Sequence, residues 1–138
     1  MRPPVWLLKE TVLALHEQLL AEFGGASGLR YAGLLESALA RPENLLAHRT
    51  PTIFDLAASY AFGLVKNHPF IDGNKRIAFA AATVFLEING RRFQASEADA
   101  TIQTLALAAG ALDEAGYSRW LKASSKRERG ARWRTQKR

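Results

Sequence analysis

The sequence predicts an all-α fold, a compact bundle of about six helices with a basic C-terminal tail. Three observations lead there. Apolar residues recur at steps of three and four over most of residues 1–122, glycine and proline fall between those runs, and no internal repeat, heptad array or strand-helix alternation is present. A chain of 138 residues suits one domain of ordinary size, here residues 1–122, with residues 123–138 read as a flexible tail.

Taken in order, Val5, Leu8, Val12, Leu15 and Leu19 stack on one face of a first helix that ends before Gly24 and Gly25. Gly24, Gly25 and Gly28 then mark a turn. Ala32 to Ala40 gathers Leu34, Leu35, Ala38 and Leu39 into a short second helix, stopped at Pro42 because proline lacks an N–H and its ring collides with the preceding turn. Pro42 to Thr52 has mixed polarity and no steady period, so it reads as a loop or short hairpin, a candidate docking flap. Phe54 to Asn67 is apolar nearly all round, which suits a core helix. Asn74 to Asn89 repeats that character through Ile77, Ala81 and Phe85 until Gly90 supplies a left-handed cap. Arg91 to Gln94 is a brief extended turn. Ser96 is an N-cap, with Glu97 and Asp99 in the first turn of a helix closed by Gly110, and Asp113 to Ala123 forms the last helix through Tyr117, Trp120 and Leu121.

Composition excludes several classes. An apolar content of 48% excludes wholesale disorder, and no apolar run approaches the roughly 18 residues of a membrane helix. The absence of cysteine excludes a disulfide framework and thiolate metal sites, and Met1 to Leu8 lack a secretory pattern, so a soluble, cytoplasmic protein is expected. A net charge of +6 invites a nucleic-acid reading, but its location matters more. From Lys122 onward eight Lys or Arg face one acid, Glu128, whereas Met1 to Leu121 hold eleven against twelve. The tail owns the excess, and Trp133 is its only large apolar residue. It cannot bury enough surface to offset its ordering entropy, and reads first as a solvated basic terminus and second as a weak anchor for nucleic acid or an acidic partner.

The chemistry sits in Asn67-His68-Pro69-Phe70-Ile71-Asp72-Gly73-Asn74-Lys75-Arg76, a polar string between two apolar helices. Buried polar groups cost several kcal/mol unless partnered, so such a cluster points to a bound ligand or cation. Pro69 ends the preceding helix and Gly73 allows a turn. A helix starting near Asn74 presents free N–H groups and a positive dipole end, to which Lys75 and Arg76 add two cations; phosphate fits that place. Asp72 is placed to hold Mg²⁺ against phosphate oxygens, and the imidazole of His68 can take a proton from an attacking hydroxyl.

This string resembles the signature of the Fic/Doc family, and Lys75, where adenylylating members have a second glycine, resembles the death-on-curing (Doc) toxin branch. His16 with Glu17, Gly24-Gly25, Gly28-Leu29-Arg30, Leu34 to Leu39, Arg41-Pro42, Phe85-Leu86, Asn89-Gly90 and Ala108 to Gly110 are Doc-like too, so the resemblance covers residues 5–122. It implies that His68 is the general base, that Asp72 holds Mg²⁺, that Gly73, Asn74, Lys75 and Arg76 bind the phosphates of ATP, and that Phe70 anchors the loop in the core. Lys75, together with Phe79 where adenylyltransferases carry a further arginine, implies reversed ATP placement and γ-phosphate transfer. The implied activity is a protein kinase toxin acting on a translation factor such as elongation factor Tu, checked by a small antitoxin in trans. Protein adenylylation is the alternative. Tyr31 and Ile77 depart from the usual Asp and Thr of Doc relatives. Ser124 to Glu128 matches the start of the family's inhibitory pattern, from which Arg129 departs.

Plainer readings compete residue by residue. His68 alone could be a satisfied core histidine and Asp72 alone an N-cap; it is their joint spacing that favours a site. His16 is expected to pack or bond locally, and Arg30 to pair with a carboxylate such as Glu36 or to cap a turn. A structural zinc site is disfavoured for want of ligand spacing. The third function class is a non-catalytic binding module that uses the tail.

Overall fold

The computed structural model describes residues 3–127. Six helices follow one another: α1 (Lys9–Phe23), α2 (Ala32–His48), α3 (Ile53–Asn67), α4 (Asn74–Ile88), α5 (Glu97–Ala109) and α6 (Glu114–Ala123). Two three-residue strands, β1 (Arg91–Phe93) and β2 (Ser125–Arg127), pair antiparallel with Arg91 opposite Arg127. The all-α class is observed as expected.

The most apolar segment lies at the centre. Leu56, Ala57, Ala58, Tyr60, Ala61 and Leu64 of α3 are buried on successive faces, and α3 packs against α2, α4, α5 and α6. A helix apolar all round has to be covered on every side, and four helices do so. Its start is fixed by a capping box in which Thr52 and Asp55 bond each other's backbone N–H groups. Asp55 also accepts from the Ser118 hydroxyl at 2.6 Å, which ties the start of α3 to α6. A cluster of Phe79, Phe93, Tyr117 and Trp120 joins α4, β1 and α6. The Tyr117 hydroxyl is fully buried against Thr104 at 2.8 Å, and burial pushes its pKa up to about 12.

Three expectations are corrected. The first helix starts at Lys9, so Val5 and Leu8 lie outside its face, 55% and 65% exposed. The preceding segment is held extended instead: Val5 exchanges hydrogen bonds with the Asn89 side chain, and the Leu7 N–H donates to the Tyr60 hydroxyl. Proline does not end α2, which runs on to His48, so there is no hairpin at Pro42 to Thr52. Packing outweighs the missing N–H there: Pro42 is buried, Leu45 and Leu46 rest on the core, and Arg41 bonds Ser59 and Glu114. The start of the supposed flexible tail is structured, since Ser125–Arg127 completes the ribbon with β1. The rest of the tail, including Glu128 and Trp133, lies outside the described residues. No helix among the described residues is long and apolar enough to cross a membrane.

Two outcomes test this packing. A Cβ on Gly63 would lie 3.1 Å from Arg41 Cδ and 3.2 Å from Ala38, so Gly63→Ala is expected to cost about 1–3 kcal/mol in urea unfolding through overpacking of α2 on α3; an unchanged midpoint would show that α2 can move away freely. At Asp55, burial raises the carboxyl pKa, but hydrogen bonds from Ser118 and Thr52 and the charge of Lys122 outweigh it and hold the group below the ordinary 3.8. A depressed folded pKa contributes stability above the unfolded value and loses it as pH falls through the folded one. Asp55→Asn should therefore lower stability at pH 7, with the deficit shrinking in acid; a deficit that does not vary with pH would exclude this charge effect.

Candidate active site

The α3–α4 joint is shaped by two left-handed residues. His68 closes α3 at φ 54, the only non-glycine with positive φ among the described residues, and Gly73 opens α4 at φ 81. Between them Phe70 drives into the core, and its ring stacks on His16 at 3.7 Å between centroids. Residues 28–30 run beside the loop, with the Arg30 N–H bonded to the Pro69 carbonyl at 2.7 Å and the Ile71 N–H to that of Gly28 at 3.0 Å.

His68 and Asp72 are both exposed at the mouth of this joint. Asp72 Oδ2 accepts the Ala26 N–H at 2.8 Å, leaving Oδ1 without a partner among the described residues. A Cβ on Gly25 would stand 3.2 Å from that of Asp72, so the glycine turn lets the end of α1 close on the carboxylate. The first helical bond of α4 runs from Ile77 to Gly73, and no protein acceptor among the described residues takes the N–H groups of Asn74, Lys75 and Arg76. The helix start read as an anion cradle is thus open, with these N–H groups unbonded by the described residues. Lys75 is exposed, and the Arg76 guanidinium rests on the Phe23 ring at 4.3 Å.

Asn74 departs from the expected phosphate contact. Its side chain is 3% exposed and turned inward, bonded through Oδ1 to the Phe70 N–H and through Nδ2 to the Phe70 carbonyl and His68 Nδ1. Only its backbone N–H faces the cradle.

Two residues matter more than their sequence context suggested. His16, fully buried, donates Nε2–H to the Asp72 carbonyl at 2.8 Å across 56 residues, besides stacking on Phe70. Arg30 caps α3, giving Nε–H to the His68 carbonyl at 2.7 Å and Nη2–H to that of Asn67 at 3.1 Å, a cation at the negative end of a helix. The carboxylate offered as its partner, Glu36, pairs with Lys9 instead. Capping was one of the two roles read for Arg30 from the sequence and is the one observed, whereas the long-range contact from His16 to Asp72 left no sign in the sequence spacing.

A cleft of about 750 Å³ lies elsewhere, lined by Arg41, His48, Asp55, Ser59 and Glu114. Its main charges are already paired, Arg41 with Glu114 and Asp55 with Ser118 and Thr52, whereas the α3–α4 loop keeps its carboxylate, cations and helix start open. The loop is the better candidate on chemistry. Among the described residues no group of three or more His, Asp or Glu could hold a metal by itself.

Residues 6–86 match the model of the Fic/DOC family. A protein named Toxin Doc from Mycolicibacterium smegmatis is 46% identical over 70 residues, 49% of this chain and 54% of that protein. Protein kinase doc from Escherichia phage P1 is 33% identical over 82 residues, 59% of this chain and 65% of that protein. The chain thus spans between about half and two thirds of the length of these relatives. The matched family segment ends at residue 86, ahead of the basic tail.

The contact from α1 gives a measurable outcome. His16→Phe keeps a ring against Phe70 but leaves the Asp72 carbonyl without its donor, at an expected cost of about 1–2 kcal/mol in urea unfolding. His16→Ala removes the stack as well, at about 2–4 kcal/mol. Equal stability of His16→Phe and the unaltered chain would show that the hydrogen bond does not hold the loop.

Proposed function

Because the chain belongs to the Fic/DOC family, we propose that it is a Doc-like toxin that transfers the γ-phosphate of ATP to a hydroxyl of a target protein. The observation that carries this reading is the convergence of His68, the free Oδ1 of Asp72 and the open start of α4 at one joint. The imidazole of His68 takes the hydroxyl proton, the hydroxyl oxygen bonds the γ-phosphorus, and the bridging oxygen leaves with ADP. The N–H groups of Gly73, Asn74, Lys75 and Arg76 with the Lys75 and Arg76 cations face the phosphates.

The donor set fits Mg²⁺. That ion uses one or two carboxylates and fills its remaining positions with phosphate oxygens and water, and Asp72 is one carboxylate with an unpartnered oxygen beside an anion cradle. When bound it would offset charge on the phosphate oxygens. Lys75 and Phe79 favour γ-phosphate over adenylyl transfer, on the resemblance to the Doc branch. The same resemblance supports a translation factor such as elongation factor Tu as target and a small antitoxin as inhibitory partner; the name Toxin Doc of one relative and Protein kinase doc of the other agree with this branch.

The test is to incubate the full chain with Mg²⁺, bacterial lysate and ATP labelled at the α or the γ phosphate, beside His68→Ala. Label on protein from γ alone is expected, falling by about 10²-fold or more without the base. Label from α would replace kinase by adenylyltransferase. Transfer that survives in His68→Ala would exclude the base role, and no label in either case would leave the binding module as the better reading.

A further inference from the structure

The chain has three histidines, and each described ring meets a hydrogen-bond partner that fixes where its neutral form carries the proton. His16 Nε2 meets the Asp72 carbonyl oxygen at 2.8 Å, and His48 Nδ1 meets that of Asn44 at 2.9 Å. A carbonyl only accepts, so the neutral His16 proton sits on Nε2 and that of His48 on Nδ1. His68 has a different partner: its Nδ1 lies 3.0 Å from a nitrogen, Asn74 Nδ2.

That amide cannot turn over without loss. Its Oδ1 accepts the Phe70 N–H at 2.9 Å while Nδ2 donates to the Phe70 carbonyl at 2.9 Å, and a flip would set oxygen against oxygen and N–H against N–H. The second hydrogen of Nδ2 therefore points at His68 Nδ1, which has to supply a lone pair. Neutral His68 then carries its proton on Nε2.

We infer that Asn74 is a positioning residue that holds His68 in the Nε2–H tautomer, so that the free loop offers an incoming hydroxyl a hydrogen-bond donor in place of a base. The inference rests on the role proposed for His68. Proton abstraction at Nε2 needs a lone pair there, so Nε2–H must first pass to solvent while Nδ1 gains a proton, and Asn74 must withdraw its N–H for that to happen. His68 is exposed, and water can carry both protons. The consequence is a latent site: nucleotide bound in the cradle is not attacked by water activated at His68 until the Asn74 contact is exchanged.

The test is a long-range ¹H–¹⁵N correlation spectrum of the imidazole rings in the ¹⁵N-labelled full chain. His68→Ala and His48→Gln assign the signals, and His48 is the internal standard for the opposite tautomer. The expected pattern for His68 is a protonated Nε2 and a lone-pair Nδ1, matching His16. In Asn74→Ala, Nδ1 should shift away from the lone-pair position as the two tautomers mix. A His68 with its proton on Nδ1 in the unaltered chain would overturn the inference, and so would an unchanged spectrum in folded Asn74→Ala. Should that variant not fold, the scalar coupling between Asn74 Nδ2 and His68 Nδ1 across their hydrogen bond in the unaltered chain takes its place, and its absence would overturn the inference. Survival of phosphate transfer in His68→Ala, by contrast, would remove the base role and leave the tautomer assignment standing.

Discussion

A buried amide must satisfy its hydrogen-bonding groups inside the protein, and Asn74 does so with both backbone groups of Phe70 and the ring of His68. This single constraint sets the path of the chain between the two central helices. With Phe70 bound at its N–H and its carbonyl, the loop can neither slide along α4 nor lift from the core. Phe70 in turn supplies the ring on which His16 stacks, so α1 is aligned to the same point. The exposed groups of the site stand on this buried frame: Asp72 lies two residues beyond Phe70, and the open N–H groups begin at the residue that provides the amide. A mobile surface loop with the same sequence could not hold a carboxylate, an imidazole and a helix start in fixed relation.

The rest of the fold supports that joint from below. Helix α3 ends at the site and is covered by four other helices, so the carbonyls of its last turn cannot shift to accommodate a ligand. Arg30 satisfies two of those carbonyls from outside. The far end of α3 is pinned equally firmly, through the Thr52 and Asp55 capping box and the Ser118 contact. A helix fastened at both ends carries the candidate site at its tip, in the loop that joins it to α4.

Much of this was legible in the sequence because it rests on local rules. The nearly all-round apolar character of Phe54 to Asn67 announced a central helix, Gly90 and Gly110 gave the ends of α4 and α5, and the crowding of His68, Asp72, Lys75 and Arg76 between apolar runs pointed to the candidate site. What stayed hidden depends on contacts between distant residues. Nothing near Pro42 signals that Glu114, 73 residues beyond Arg41, will help to hold the last turns of α2. His16 and Asp72 are 56 residues apart. Asn74 was identified, but its polar side chain beside two cations pointed outward by type, and only the three-dimensional turn at Gly73 reveals that it points in. The ribbon that captures Ser125–Arg127 escaped for a related reason, since three-residue strands carry almost no pattern of their own.

On the role proposed for His68, the left-handed backbone there places stability and activity in opposition at one position. A side chain bearing a Cβ pays about 1–2 kcal/mol at such angles, and glycine avoids that penalty. Selection for a sturdier fold alone would therefore act against histidine at the end of α3, and any sequence drifting toward greater stability there would lose its imidazole. His68 stands at a strained, exposed position that contributes little to the core, which agrees with the catalytic role proposed for it. By the same reasoning, a thermostabilised version of this protein is safest to seek in α5 and α6, far in the chain from the turn where strain and reactivity share a residue.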